Sequence, residues 1–497
     1  MTLLMERLYS QAEQRPDRTA LVYRQERVSF AELVELVERL ASGLAGRGIE
    51  PGDAVGLALR DSPWYVASFH AITAMGAVVV PVNPAFKQAE LEFSFHSADI
   101  KAVISDERTV GVCERIAAGF DHPVEVIGGA GHGKAPTLDR LFESDRARLA
   151  PRSPEEPFVY QFSSGSTGRP KRVPRTHGQC AAEAQLYLDI GFGPDDVIFS
   201  AIPLFHTYGM GANLFGGAAS GATVVILEDP QPFLLQRHRA LELIASERAT
   251  IFPGVPFNYR LMAEAPGDFD LSSLRLCFSA GTALPRSTFE EFGERFGILV
   301  RQLYGSTETG MITANTGDDP VASFESVGPP VGDVRVEIVD DEGEPVEPGQ
   351  IGEVTVTSRA ATHGYAGAEE ANRVAFRDGR YFTGDLGRLD DEGLLYLEGR
   401  KKLLIEVGGY KIDPIEVQDA IVAHPSVAEA IVVGVESEVE GEEEVKAVVV
   451  LAEECEEGEL LGFCRERLAN YKVPRQVEFR DEIPKSPLGK VLRKYLV

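Results

Sequence analysis

The sequence predicts an α/β protein with a large N-terminal part of layered α/β subdomains, a β-rich subdomain after it, and a small α+β unit at the C-terminus. Three observations carry this. Apolar runs rich in Val and Ile alternate with segments of helical period through the first half of the chain. Between Val331 and Leu397 the pattern changes to short alternating strands broken by Asp-Glu-Gly and Glu-Gly turns. After Arg400 a new β/α unit begins. A chain of 497 residues also exceeds what one hydrophobic core usually serves, so at least two domains are expected.

Taken in order, Phe30 to Ala45 has the 3.6-residue period of a helix, and Ala54 to Leu59, Ala77 to Val82 and Ala102 to Ser105 read as buried strands. Phe158 to Phe162 is an apolar-aromatic strand. Thr223 to Leu227 is a strand, Leu234 to Glu247 a helix, and Thr250 to Pro253 a strand. This βα alternation calls for substantially parallel sheets. The turns at Asp340 to Gly343 and Asp390 to Gly393 belong to the antiparallel part. In the last hundred or so residues, enough for a separate domain, helix Pro414 to Ala423, strands Ala430 to Val435 and Val445 to Leu451, and helix Glu459 to Leu468 follow one another.

Composition excludes several classes. A net charge of -28 argues against nucleic acid and anionic membrane as partners. No run of about 18 apolar residues is present to span a bilayer, and the first residues lack the basic-then-apolar order of a signal peptide, so a cytoplasmic location is expected. The five cysteines show no CxxC pair and no clustering with histidine, so neither a zinc site nor a disulfide framework is indicated. Glu436 to Glu459 is an acidic run, read as a solvated surface. The chain end is locally basic through Arg465, Arg467, Lys472, Arg475, Lys485, Lys490, Arg493 and Lys494.

The chemistry begins at Ser163 to Arg172 (SSGSTGRPKR), directly after the strand. Gly165 and Gly168 let the backbone turn and bring N–H groups close to an anion, Ser163, Ser164, Ser166 and Thr167 add donors, and Lys171 and Arg169 add positive charge. A polyphosphate fits such a cradle. The spacing is not that of the Walker loop, because Gly168 is followed by Arg-Pro-Lys instead of Lys-Ser/Thr. In isolation the segment is equally a flexible Ser/Gly surface loop.

Three further segments follow in order: Tyr304 to Gly310 (YGSTETG), Tyr381 to Gly387 (YFTGDLG) leading into Gly393 to Lys402 (GLLYLEGRKK), and Pro484 to Lys490 (PKSPLGK) near the C-terminus. With these four the chain resembles the ANL adenylate-forming superfamily of acyl-CoA synthetases, firefly-luciferase-like enzymes and peptide-synthetase adenylation domains. It is closest to the acid–CoA ligases, over essentially its whole length. The resemblance implies an N-terminal adenylate-forming domain over 1–399, its β-rich subdomain at about 331–399, a hinge at 400–402 centred on Lys402, and a small mobile C-terminal domain over 403–497.

It also implies roles. Activating a carboxylate requires attack on the α-phosphate of ATP, so the site must neutralise developing charge with lysine and magnesium. Lys490, in a Pro/Gly segment, is the candidate to bring an amine between carboxylate and α-phosphate. Glu308 would ligate Mg2+, Thr307 would touch the α-phosphate, the Tyr304 ring would stack on adenine, and the Gly281 backbone would pass against it. Asp385 suits acceptance from both ribose hydroxyls, and Arg400 reaches ribose or phosphate oxygens. Read alone, these are a core aromatic, a turn carboxylate and a surface cation. His206, in PLFHTYG, would gate an acyl pocket shared with Phe257 and Gly305. Amino-acid-activating relatives carry Asp at the His206 position, so an α-amino acid substrate is not expected. Phe257 stands where a smaller residue is common, which favours a compact or aromatic acid, and Arg172 replaces a usual glycine. Gly408 and Gly409 match the passage of the pantetheine arm of CoA, with Lys411 a further contact. The expected partners are a small carboxylic acid, ATP and CoA. An acyl carrier protein, an amine acceptor, an inactive nucleotide-binding relative and an oxygen-using luciferase are the alternatives, and monomer or homodimer stays open.

Overall fold

The computed structural model of the chain describes residues 2–86, 88–128, 138–163, 170–228, 233–400, 405–407, 410–412, 414–437, 443–468, 470–485, 491–492 and 495–496. Of the side chains in that set, those of Asp139, Glu406, Tyr410, Lys411 and Tyr471 are outside the description.

Among these residues two mostly parallel sheets form the layered part. One runs in the spatial order Gly310–Ala314, Val300–Ser306, Leu276–Ser279, Ile251–Gly254, Val197–Ser200, Thr223–Ile226, Thr19–Tyr23, Glu26–Ser29. Its interior neighbours are parallel and each edge is an antiparallel pair. The other runs Glu125–Ile127, Ala102–Ser105, Ala54–Ala58, Val78–Pro81, Pro157–Ser163, Lys171–Thr176, with only the last pair antiparallel. Ala54–Ala58, Val78–Pro81 and Ala102–Ser105 are buried at every residue, which is why they are unbroken apolar runs. Helices Phe30–Ala45, Pro63–Ala74 and His177–Asp189 share one core with both sheets. Ser29 and Thr176 each start their helix with a reciprocal capping box, Ser29 with Glu32 and Thr176 with Gln179.

The change of pattern after Val331 is an antiparallel sheet built from Arg335–Val339, Gly352–Thr357, Phe376–Arg377, Arg380–Leu389 and Leu395–Arg400. Its two Asp-Glu-Gly turns are built alike. Asp340 Oδ1 accepts from the amides of Glu342 and Glu344, Asp390 Oδ1 from those of Glu392 and Leu394, and Gly343 and Gly393 take φ of 87° and 79°.

Past residue 404, hairpin Ile405–Val407 with Tyr410–Ile412, helix Pro414–Val422, strands Val427–Glu436, Glu443–Leu451 and Gln476–Phe479, and helix Glu457–Arg465 form cores drawn only from this part of the chain. The expected strand Ala430 to Val435 is longer at both ends, and the helix expected from Glu459 begins two residues earlier and ends at Arg465. No helix among the described residues is long and apolar enough to cross a membrane.

Candidate active site

The strands on either side of the Ser/Gly segment, Pro157–Ser163 and Lys171–Thr176, pair antiparallel with Ser163 opposite Lys171. Ser164, Gly165, Ser166, Thr167 and Gly168 lie outside the described residues. Both anchors are visible. Ser163 is buried and its Oγ has no partner among the described residues, as is true of the Oε1 of buried Gln161 two residues before it. Alternation along the strand puts these two on the same face.

The YGSTETG segment is a second hairpin. Val300–Ser306 and Gly310–Ala314 pair through a bulge at Tyr304 and Gly305, and Thr307, Glu308 and Thr309 form the three-residue loop. Gly310, the first residue past the loop, has φ 68°, a backbone form that favours glycine, and a Cβ on Gly305 would come 2.4 Å from the Gly310 carbonyl oxygen. The loop is fastened at three points. Gln161 Nε2 donates to Thr207 Oγ1 at 2.8 Å, which donates to Thr307 Oγ1 at 3.4 Å. The Glu308 carbonyl accepts from the Thr362 amide at 2.7 Å, while Thr362 Oγ1 donates to the Pro174 carbonyl at 2.6 Å. Tyr365 Oη donates to Glu308 Oε1 at 2.9 Å, and Lys171 Nζ lies 4.7 Å from the centre of the same ring. One tyrosine therefore carries the cation of the first hairpin on its face and the carboxylate of the second on its hydroxyl. Burial and the neighbouring Glu308 carboxylate push the Tyr365 phenol well above its ordinary range, so it stays a proton donor.

Asp385 and Arg400 are directly opposite each other on adjacent antiparallel strands. Arg400 Nε donates to Asp385 Oδ1 at 2.5 Å and Tyr304 Oη donates to Oδ2 at 2.5 Å. Asp385 and Tyr304 are buried and Arg400 is exposed. Burial first, and then the Asp385 charge, hold the Tyr304 phenol far above its usual value. Gly281 follows strand Leu276–Ser279 with φ 89° and is exposed, a backbone form that a side chain would strain.

His206 is exposed and caps the short helix Thr207–Gly209, its Nδ1 accepting from the Tyr208 amide at 3.2 Å. A π-helical turn, Met210–Phe215, follows it. Buried Asp61 accepts from the Leu204 amide just upstream. Phe257 sits at the start of helix Pro256–Ala263, 46% exposed, with the Arg260 guanidinium 5.5 Å from its ring centre. Lys402, Gly408, Gly409 and Lys490 lie outside the described residues; Lys411 is described only as backbone, in strand Tyr410–Ile412.

The family model for AMP-binding enzymes matches residues 8–366, and that for the AMP-binding enzyme C-terminal domain matches residues 416–490. The chain belongs to the AMP-binding enzyme family. It is 29% identical, over 97% of its length and 92% of the relative's, to a long-chain-fatty-acid–CoA ligase of Bacillus subtilis. The crystal structure of ATP-bound MatB from Rhodopseudomonas palustris superposes with a TM-score of 0.90 at 30% identity, covering 100% of this chain and 98% of that one. The o-succinylbenzoate CoA synthetase MenE of Bacillus subtilis, in complex with ATP and magnesium, gives 0.86 at 30% identity, covering 99% and 98%.

For an AMP-binding enzyme the donor set fits a magnesium nucleotide. Lys171 and Arg400 supply positive charge and Glu308 supplies a hard carboxylate oxygen. The Ser163 hydroxyl, without a partner among the described residues, stands where the Ser/Gly segment departs.

Sequence reasoning missed Gln161, Thr362 and Tyr365, which hold the motif residues but belong to no motif, and gave no role to Thr207 within PLFHTYG. It also missed that His424, Cys455 and Glu459 come within 4.8 Å of one another, a grouping hidden from a spacing search because strands Val427–Glu436 and Glu443–Leu451 separate its members. The expectation of no histidine near cysteine is thus corrected. The Ser426 amide donates to His424 Nδ1, so the neutral ring keeps its proton on Nε2, the form least suited to hold a metal.

Proposed function

We infer that this protein is an AMP-forming acid–CoA ligase that uses ATP, Mg2+ and CoA. The observation that carries the inference is the meeting of Lys171 and Glu308 on Tyr365, with the Asp385–Arg400 pair alongside, in a chain matched end to end by relatives named as CoA ligases. In the first step a carboxylate oxygen bonds to the α-phosphorus of ATP and the bond to pyrophosphate breaks. In the second, a thiolate sulfur bonds to the acyl carbon and AMP departs with the carboxylate oxygen.

The residue roles follow the chemistry. The backbone of Ser163, Ser164, Gly165, Ser166, Thr167 and Gly168, with Lys171, holds the β- and γ-phosphates. Glu308 holds Mg2+, which when bound neutralises phosphate charge. Thr307 donates to the α-phosphate, Asp385 accepts from ribose hydroxyls, Arg400 reaches ribose or phosphate oxygens, and Tyr304 and Gly281 bound the adenine. Lys490 meets the charge that develops between carboxylate and α-phosphate. Gly408, Gly409 and Lys411 accompany the pantetheine arm. His206, Phe257 and Gly305 bound the acyl pocket, whose aromatic rim suits a compact or aromatic acid. The small domain, 403–497, turns about Lys402 between the two steps, because Lys490 and Gly409 cannot serve one carbon from a single orientation.

A panel of short, aromatic and long-chain acids, assayed for pyrophosphate release with and without CoA, tests this. Acid-dependent pyrophosphate with CoA-dependent turnover is expected. Turnover that requires an amine or a carrier-protein phosphopantetheine instead replaces the acceptor. No acid-dependent signal across the panel overturns the ligase.

A further inference from the structure

Arg175 and Glu183 form an ion pair with side chains 0% and 1% exposed, Arg175 Nη1 to Glu183 Oε2 at 2.6 Å. Two unlike features make it more than core filling. The first is what the carboxylate touches. The Met311 amide, at the start of the strand leaving the Thr307–Glu308 loop, faces Glu183 and favours its charged form. A Cβ on Gly310, just past that loop with φ 68°, would lie 2.3 Å from Glu183 Cδ. A Cβ on Gly211, in the π-helical turn beyond His206, would lie 2.4 Å from Glu183 Oε1. The carboxylate thus fills a slot between two glycines, one just past the loop proposed to hold phosphate and metal, the other on the π-helical turn that continues the helix capped by His206, which is proposed to bound the acyl pocket. The second feature is where the cation comes from. Arg175 stands on strand Lys171–Thr176, which returns from the phosphate cradle, four residues along from Lys171 and next to Pro174, whose carbonyl anchors Thr362.

We propose that Glu183, held by Arg175, is a positioning residue for acid activation: it fixes the separation between the Thr307–Glu308 loop and the His206 helix and locks both to the cradle strand. Neither side chain reaches substrate. Their effect passes through the Met311 amide and the two glycine contacts, so it falls on metal and nucleotide placement. This rests on the ligase reading above.

Breaking a buried pair by removing one partner strands a charge and costs several kcal/mol, whereas replacing both by apolar residues of similar volume is commonly neutral. The double variant Arg175→Met/Glu183→Leu therefore separates positioning from folding, and Arg175→Met/Glu183→Gln restores an acceptor for the Met311 amide without charge. Melting temperature, and the Mg2+ concentration giving half-maximal acid-dependent pyrophosphate release, are measured for both.

The Met/Leu variant is expected to melt near the wild type while its Mg2+ half-saturation rises about tenfold, the size seen when groups orienting a metal ligand are lost. The Met/Gln variant is expected to return most of the way. Wild-type Mg2+ dependence in Met/Leu overturns the proposal, and so does a loss that Met/Gln fails to restore. If Met/Leu does not fold, Met/Gln decides alone against Arg175→Met: only a Mg2+ defect in the single variant that the double variant relieves is compatible with positioning. Wild-type protein with no acid-dependent pyrophosphate release at all condemns the ligase reading instead, so the two failures are distinguishable.

Discussion

Replacing Tyr365 with Phe removes one oxygen atom from the centre of the site and leaves its ring in place. The ring still faces Lys171 Nζ at 4.7 Å, but Glu308 Oε1 loses the donor that stands 2.9 Å away. Tyr365 and Glu308 are both buried, 7% and 6% exposed, so water does not simply take the place of the hydroxyl. A hydrogen bond to a charged group is worth about 1.5–3 kcal/mol, which is roughly a ten- to hundredfold change in an equilibrium constant. Glu308 is the proposed metal ligand, and that loss of orientation should raise the Mg2+ concentration needed for half-maximal acid-dependent pyrophosphate release by a factor in this range. Because the phenol is held well above its ordinary titration range, it remains a donor at alkaline pH. The ratio of variant to wild type should then be the same at pH 7 and pH 9. Titrating Mg2+ at both values is the assay. A half-saturation equal to or below that of wild type, or a ratio that vanishes at pH 9, refutes the role assigned to this hydroxyl.

Asp385→Asn keeps the shape but removes the charge that accepts from both Tyr304 and Arg400, and should raise the half-saturating ATP concentration about ten- to hundredfold; initial rates against ATP check it. Lys490→Ala should abolish acid-dependent pyrophosphate release while sparing thioester formation from supplied acyl-adenylate, and Gly409→Leu should do the reverse, so equal loss of both steps in either variant contradicts its role. Burial lowers His70 and His177 to about 4, below the value near 6.5 that each has in the unfolded chain. Between those limits the unfolded state binds the extra protons, so stability is intact above pH 7 and falls on acidification, by about 2 kcal/mol per histidine at pH 5. Thermal melts from pH 8 to 5 should show a plateau and then a decline, and a flat profile contradicts the burial effect.

Much of the fold was legible because its signals are local. Runs such as Val78–Pro81 are buried on both faces and so are apolar at every position, and the Asp340 and Asp390 turns repeat one hydrogen-bond pattern that their residues dictate. The strand-to-loop junctions at Ser163 and Glu308 were visible from the runs before them, but not that the chain turns back at each as an antiparallel hairpin. What was not legible is the scaffolding between hairpins. Tyr365, Thr362 and Gln161 act through partners far away in the chain, and a lone hydroxyl or amide in sequence gives no sign of what it will face. Glu183 did leave a trace. It is a charge in the alanine-rich helix His177–Asp189, whose residues 177–184 are all buried, and only a second buried charge could make that tolerable.

The most direct measurement follows the atoms. A carboxylic acid that the protein turns over is labelled with 18O in its carboxylate, and the AMP released with the CoA thioester is weighed by mass spectrometry. Attack of the carboxylate on the α-phosphorus transfers one labelled oxygen to AMP, so AMP carrying a single 18O, together with unlabelled pyrophosphate, is the expected result. Label in orthophosphate with ADP as the nucleotide product, or unlabelled AMP alongside the thioester, contradicts activation through an acyl-adenylate.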